Sequence, residues 1–182
     1  WLPALIMFFM VFSYGTILTI GFDLAEHLKA QNKGVILMIM TLSSVLVRVI
    51  AGRFSDRYGR KTAVIIGLLL LIGGILLMAQ AKSLGSLYLA SFIVGLANGM
   101  NNPTIFAWVT DWSNPANKGR AISTVFIMLE AGIGIGSFVS AAVYANNIHN
   151  IASAFYLSAG FAFVGIVLLF ATWKYHPKLI FN

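Results

Sequence analysis

The chain has 182 residues, of which 59% are hydrophobic and only 9% are charged, and it contains no cysteine. Soluble domains carry about 25% charged residues, so this composition indicates an integral membrane protein. The lack of cysteine excludes a disulfide framework, a thiolate metal site and a cysteine nucleophile. The formal net charge is +7, but the cations lie in short turns between apolar runs. We therefore expect them to orient the chain in a membrane, and we expect no nucleic-acid partner.

Six apolar runs follow one another, each about long enough to cross a hydrocarbon core of roughly 30 Å. An unpaired backbone is costly in lipid, so every run is predicted to be helical. The predicted spans are 2–22, 34–51, 62–81, 87–110, 121–145 and 152–173. The predicted fold class is an all-α integral membrane protein, with a single six-helix transmembrane bundle over residues 1–182. Position 1 is Trp and the chain opens inside an apolar run, which predicts a fragment of a longer protein.

The first span carries a hydroxyl stripe with Tyr14 beside it. These groups are candidates for a substrate path, although hydroxyls that bond back to their own helix explain the stripe as well.

The segment 51–61, AGRFSDRYGRK, joins the second and third spans and contains four cations, one carboxylate and two glycines. Gly52 and Gly59 are predicted to provide backbone with φ > 0 and close helix approach for a tight hairpin. Asp56 can accept hydrogen bonds from a guanidinium or from helix N-terminal amides. The alternative is a solvated loop that only sets orientation. Arg48, one turn earlier, is expected to extend its stem to the interface rather than to act in a site.

The fourth span places Asn98 and Asn102 four residues apart on one helix face. Amides inside a span either bridge helices or line a path, and the sequence favours neither interpretation. The following loop, 111–120, contains Asp111 and Arg120, and Pro115 predicts the start of a short surface helix.

Glu130 is predicted to lie about 14 Å into the fifth span, near the middle of the bilayer. An ionised acid there is costly, so such residues usually face a cavity and carry function. Burial favours the protonated form, which makes Glu130 a candidate proton carrier or substrate contact. The alternative is a glutamate that ties two helices together. Three glycines and Ser140 after it form a small-residue face for close packing.

The distribution of cations predicts the topology, because loops rich in Lys and Arg stay on the cytoplasmic side. The larger, inner set has nine members and the outer set three. The inner set is Arg48, Arg53, Arg57, Arg60, Lys61, Lys118, Arg120, Lys174 and Lys178, and the outer set is Lys29, Lys33 and Lys82. Both termini are therefore predicted to be cytoplasmic.

Residues 52–61, G-R-F-S-D-R-Y-G-R-K, resemble the signature loop of the major facilitator superfamily, G-x-L-[AGS]-D-[RK]-x-G-[RK]-[RK], with Phe54 in place of Leu. In that family the loop is a conformational latch whose Asp and Arg pair with the inner end of a neighbouring helix in one state. The resemblance implies these roles for Asp56, Arg57 and Arg60. It also makes Asp111 a candidate partner of Arg53, Arg57 or Arg60. The implied latch set is Gly52, Arg53, Asp56, Arg57, Gly59, Arg60, Lys61, Asp111 and Arg120.

The resemblance covers essentially the whole chain and implies one six-helix half of such a transporter. Because the chain ends in a short basic tail, we expect the carboxy-terminal half, with the amino-terminal half missing. It also implies two inverted three-helix repeats, although no internal repeat is visible in the sequence. The glycine-rich fifth span is similar to that of superfamily exporters, but Gly136-Ser137 stands where the exporters often have Gly-Pro.

The function that the resemblance implies is secondary transport of a small organic molecule by alternating access, most simply as proton-coupled efflux. Proton-coupled uptake of a sugar or metabolite and a non-transporting membrane scaffold are the alternatives. We expect no enzyme activity, cofactor or metal site, because no catalytic or ligand pattern converges. The expected partners are membrane lipid, a small-molecule substrate, protons and the other half of the transporter. The expected location is the plasma membrane of a bacterium, its inner membrane.

Overall fold

The computed structural model describes residues 1–173, which form six long helices, two 3₁₀ turns and no strand. The helices are α1 (Leu2–His27), α2 (Val35–Tyr58), α3 (Arg60–Ala79), α4 (Leu84–Trp112), α5 (Lys118–Tyr144) and α6 (Ile151–Ala171). The 3₁₀ turns, Pro115–Asn117 and Ile148–Asn150, precede α5 and α6, and the first confirms the short helix predicted at Pro115. Lys174 and Lys178, which the topology prediction used, lie outside the described residues.

Five of these helices, α1, α2, α3, α5 and α6, are long and apolar enough to cross a membrane. The remaining helix, α4, is the longest at 29 residues, and Asn98, Asn101 and Asn102 lie near its middle. At about 1.5 Å per residue its length is also sufficient to cross a hydrocarbon core. The structure confirms the predicted fold class, an all-α integral membrane protein built as a six-helix bundle.

The segment 52–61 is helical except at Gly59, so the predicted loop is much shorter than expected. α2 continues to Tyr58 and α3 begins at Arg60, and only Gly59, with φ of 92°, separates them. Hydropathy marks where hydrocarbon ends, whereas a helix continues as long as its backbone groups pair. Gly59 has the predicted positive φ. The same prediction is wrong for Gly52, which lies inside α2 with open space around it.

The helices pack in a two-fold pattern that the sequence does not reveal. α1 packs most extensively against α5, and α2 packs in the same way against α4. α3 packs against α4, and α6 packs against α1. Exchanging α1, α2 and α3 with α4, α5 and α6 reproduces these pairs. Consecutive helices alternate in direction, so the two three-helix units run in opposite directions, as the resemblance implied.

Glycines allow the backbones to touch at the two main helix crossings. A methyl group on Gly136 of α5 would collide with the carbonyl oxygen of Phe12 on α1, and one on Gly99 of α4 would collide with that of Ser44 on α2. The α1–α5 crossing is also joined by a hydrogen bond of 2.6 Å between the hydroxyls of Thr16 and Ser140. Close packing of small residues is a main source of helix association in lipid, so these crossings hold the bundle together.

The outer faces of α2 and α5 are apolar and exposed, and the exposed fraction reaches 69% at Ile50 and 75% at Phe138. The exposed apolar residues are Met38, Leu42, Val45, Leu46, Val49 and Ile50 on α2 and Phe126, Ile127, Ile135 and Phe138 on α5. These two faces are therefore available to lipid or to another apolar protein surface.

Replacing Gly136 by Ala is expected to destabilise the protein by roughly 1–3 kcal/mol, because the added methyl group meets backbone atoms that cannot move aside. The matched control is Gly73→Ala on α3, where the methyl group would enter open space. The control should be neutral or gain up to about 1 kcal/mol from the better helix propensity of Ala. Thermal unfolding of the purified protein in detergent measures both effects. Equal midpoints for the two variants would contradict the packing at this crossing.

Candidate functional site

A charged cluster lies at the end of the bundle where α2, α4 and α6 end and α3 and α5 begin; we call it the end cluster. Its centre is Arg60, the first residue of α3. The Arg60 Nε donates a hydrogen bond of 2.9 Å to Oδ2 of Asp111 at the end of α4. Its Nη1 donates to the Ser55 hydroxyl at 2.7 Å and to the carboxylate of Asp56, both in the last turn of α2. One guanidinium therefore holds the ends of three helices together.

The ion pairs of the end cluster are partly open to solvent. The exposed fraction of the side chain is 24% for Arg60, 52% for Asp111 and 66% for Asp56. Pairs of this kind typically contribute about 0.2–1 kcal/mol, because water screens the charges and the side chains lose freedom. Contacts this weak can be broken and re-formed without unfolding the bundle.

Lys61 extends the end cluster to α6. Its Nζ donates hydrogen bonds to the carbonyl oxygens of Thr172, at 2.9 Å, and Trp173, at 3.0 Å, just beyond the last residue of α6. It also lies 5.6 Å from the centre of the Trp112 ring. A cation at a helix C-terminus is favourable, because the last carbonyl groups lack partners and carry partial negative charge.

The other predicted cations of this end lie apart from the ion pairs. The guanidinium of Arg57 lies 5.5 Å from the ring centre of Tyr58. Within residues 1–173, neither Arg53 nor Arg57 forms an ion pair with Asp56 or Asp111. Of the three arginines that the sequence left open as partners of Asp111, the structure selects Arg60.

Arg120 lies in the first turn of α5 and lines a second cavity, of about 490 Å³, beside the start of α1. Trp1 and Trp112 line the same cavity. The structure thus places Arg120 near the end cluster, but within residues 1–173 it makes no ion pair.

A half-open cavity of about 300 Å³ lies among α1, α2, α4 and α5; we call it the central cavity. Half of its lining residues are polar and half apolar. The polar ones are Tyr14, Thr41, Ser44, Arg48, Asn98 and Asn102, and the apolar ones are Val11, Leu37, Met40, Val45, Leu129 and Ile133. A pocket of this size and mixture is suited to part of a small organic molecule.

Three residues singled out in the sequence, Tyr14, Asn98 and Asn102, meet in the central cavity although they belong to two different helices. Tyr14 precedes Gly15 and Asn98 precedes Gly99, and each glycine touches a neighbouring helix. The Oδ1 atom of Asn102 is buried and, within residues 1–173, has no hydrogen-bond partner. Asn98 and Asn102 both line this cavity. That the cavity forms part of a substrate path stays a prediction.

The sequence analysis missed the place of Arg48. We expected this side chain to extend towards the membrane interface, but it lines the central cavity. A signal was present, because Thr41, Ser44 and Arg48 follow one another at spacings of three and four residues along α2. That spacing puts all three polar groups on one helix face.

Glu130 lies near the middle of the 27-residue helix α5, as predicted, but it is exposed and does not line the central cavity. Its chain neighbour Leu129 and Ile133, one turn further, both line the cavity, so Glu130 lies beside it. Within residues 1–173 no hydrogen bond or ion pair links it to another helix. It therefore does not tie two helices together in this part of the chain. The same range contains no group of His, Asp and Glu residues that could hold a metal ion.

The sequence profile of the Major Facilitator Superfamily matches residues 3–179. The chain is 28% identical over 155 residues to Multidrug resistance protein 1 of Bacillus subtilis (strain 168), which covers 81% of this chain and 37% of that protein. It is 29% identical over 116 residues to Multidrug resistance protein MdtH of Yersinia pestis (strain Pestoides F), which covers 62% of this chain and 29% of that protein. The chain thus spans little more than a third of the Bacillus relative.

Solved structures of similar fold include two transporters. A peptide transporter, POT, in complex with sulfate has a TM-score of 0.76 at 22% identity, covering 95% of this chain and 37% of that one. The human organic anion transporter MFSD10 has a TM-score of 0.74 at 16% identity, covering 93% of this chain and 46% of that one. At such identities the likeness shows the fold alone.

Because Arg60 and Asp111 form a pair in the end cluster, we expect the effects of Arg60→Gln and Asp111→Asn on the free energy of unfolding to be coupled. Each variant removes the same hydrogen-bonded pair, so the double variant should lose less than the sum of the single losses, by up to about 1 kcal/mol. The matched control is Arg57→Gln combined with Asp111→Asn, which should be additive because Arg57 packs on Tyr58. Unfolding in detergent at low salt measures both cycles. Coupling of Asp111 with Arg57 instead of Arg60 would contradict the observed pairing.

Proposed function

Because the chain belongs to the Major Facilitator Superfamily, we propose that the whole protein is a secondary transporter that moves a small organic molecule across the membrane by alternating access. The observation that carries this proposal is the central cavity, which places polar and ionisable side chains at mid-depth in an apolar bundle. Such groups are costly in a membrane unless they serve a path or a binding site. Family and fold point to a transporter rather than an enzyme.

The proposal requires a second six-helix unit, which together with residues 1–182 completes the cavity. The central cavity opens between helices instead of being enclosed, and the exposed apolar faces of α2 and α5 lie on either side of it. The chain also spans only 37% of the Bacillus relative. In transporters built from paired halves, substrate binds near the midplane between the halves.

The orientation follows from the charges. The end of the bundle that carries the end cluster and the neighbouring Arg53 and Arg57 would face the cytoplasm by the positive-inside rule. The start of α1 and the end of α6 lie at that same end, so both termini of the six-helix unit would be cytoplasmic. The bacterial plasma membrane, the inner one where there are two, is the proposed location.

The end cluster would act as a latch at the cytoplasmic end. Formation of the Arg60–Asp111 and Arg60–Asp56 pairs holds the ends of α2, α3 and α4 together and favours a state closed to the cytoplasm. Because these ion pairs are partly exposed, they contribute little to the free energy of the closed state. The pairs can therefore break and re-form during each transport cycle. Gly59, as the single residue between α2 and α3, is the point at which the backbone would bend.

Coupling to protons would rest on Glu130, the acid nearest the central cavity. A carboxylate at mid-depth of α5 can take up a proton when water reaches it and carry it in neutral form. Efflux is the favoured direction, because the two relatives compared above are both named multidrug resistance proteins.

The test is transport by the whole protein in everted membrane vesicles with an acidic interior. A proton-coupled exporter should accumulate dye inside, and rhodamine 6G and sulforhodamine B provide a cationic and an anionic probe. Glu130→Gln should abolish gradient-driven accumulation, because an amide carries no exchangeable proton, yet preserve exchange of dye across the membrane. Glu26→Gln, which removes an exposed acid paired with Lys33 at the other end of α1, is the control and should transport normally.

Three outcomes separate the alternatives. Undiminished gradient-driven accumulation by Glu130→Gln would refute the coupling role. Gradient-driven loss of preloaded dye from the vesicles would assign uptake in place of efflux. Absence of any gradient-driven movement of either dye in the unmodified protein would argue against the transporter proposal.

A further inference from the structure

The central cavity carries a positive charge and no negative one. Arg48 is the one charged residue in its lining. The chain has five acidic residues, all within residues 1–173. Asp56 and Asp111 pair with Arg60, Glu26 pairs with Lys33, and Asp23 lies beside Glu26 near the far end of α1. Glu130 lies beside the cavity but makes no ion pair with Arg48.

The guanidinium of Arg48 therefore has no charged partner within the described part of the chain. Arg48 is exposed towards the half-open cavity and lies three residues before the apolar run ends at residue 51, although α2 itself continues to Tyr58. Arg residues within membrane spans usually pair with another group or line a pathway. A carboxylate, sulfonate or phosphonate satisfies a guanidinium well, because two parallel hydrogen bonds can form between them.

A second polar group in the cavity also lacks a partner. The Oδ1 atom of Asn102 is buried and accepts no hydrogen bond within residues 1–173. A buried acceptor without a partner is unfavourable. Because Asn102 also lines the cavity, rotation of its amide group brings the oxygen to a ligand that donates a hydrogen bond, and that bond adds affinity. The apolar half of the lining, among it Leu37, Met40 and Ile133, fits a hydrocarbon or aromatic body between the two polar ends.

We propose that the central cavity binds a small amphiphilic organic anion, with its acidic group on Arg48 and a hydrogen-bond donor on Asn102. The inference rests on the proposed transport function and adds the class of substrate. We expect the cavity to disfavour cations, because a bound cation would be repelled by Arg48 and the lining contains no acid to offset this repulsion.

The test is equilibrium binding of matched radiolabelled probes to the purified whole protein in detergent, without any ion gradient. The first pair is 4-hydroxyphenylacetate and tyramine, which share the hydroxyphenyl group and differ in the sign of their charge. The anion should bind more tightly. Arg48→Gln should weaken its binding roughly tenfold or more, because it removes the charge and the paired hydrogen bonds that hold the acidic group. Arg48→Lys should weaken it less, and the control Lys82→Gln, which removes an exposed cation from an outer turn, should not change it.

The second pair is 4-hydroxyphenylacetate and phenylacetate, which differ only in the hydroxyl donor. The unmodified protein should prefer the hydroxylated anion, and Asn102→Ala should remove that preference while retaining selectivity for anions over tyramine.

The inference is overturned if tyramine binds as tightly as the anion, if neither binds, or if Arg48→Gln leaves the affinity for the anion unchanged. The last result would mean that Arg48 pairs with an acid of the second six-helix unit. These results concern affinity without a gradient, whereas failure of the proposed function appears as absence of gradient-driven dye movement. The two failures can therefore be told apart.

Discussion

The contact of helix backbones at the α1–α5 and α2–α4 crossings is the constraint on which the rest of the structure depends. Lipid offers little hydrophobic drive between helices, so close approach at glycine supplies the packing energy. Gly136 brings α5 onto Phe12 of α1, and Gly99 brings α4 onto Ser44 of α2. With each pair held this closely, the space that remains lies between the pairs, and Tyr14 and Asn98 line it.

The helix crossings and the end cluster differ in physical character, and the difference suits a transporter. The crossings are close contacts between backbones and cannot open without large loss of packing. The end cluster consists of partly exposed ion pairs around Arg60, with Lys61 on the carbonyl groups beyond the end of α6. A rigid body with weak, reversible contacts at one end can change its alignment with a second unit while its own fold stays constant.

Sequence patterns predicted the six helices and the general region of the site, because apolar length and charged turns reflect the membrane directly. They misplaced the ends of α2 and α3, since hydropathy reports where hydrocarbon ends and not where helical pairing ends. They missed Arg48 because its depth was considered without the helix face it shares with Thr41 and Ser44. The two-fold packing was implied by the family resemblance alone and was not visible as a repeat in the sequence, because it depends on which helices touch.

Alternating access is the central claim, and labelling of a single cysteine tests it most directly. This chain contains no cysteine, so Asn98→Cys puts one reactive thiol into the central cavity once the other half is cysteine-free. With the end cluster intact, a membrane-impermeant maleimide should label this thiol mainly from outside the cell. Adding Arg60→Gln, which removes the centre of the proposed latch, should shift labelling to the cytoplasmic side. Labelling from the same side to the same extent in both proteins would contradict the account.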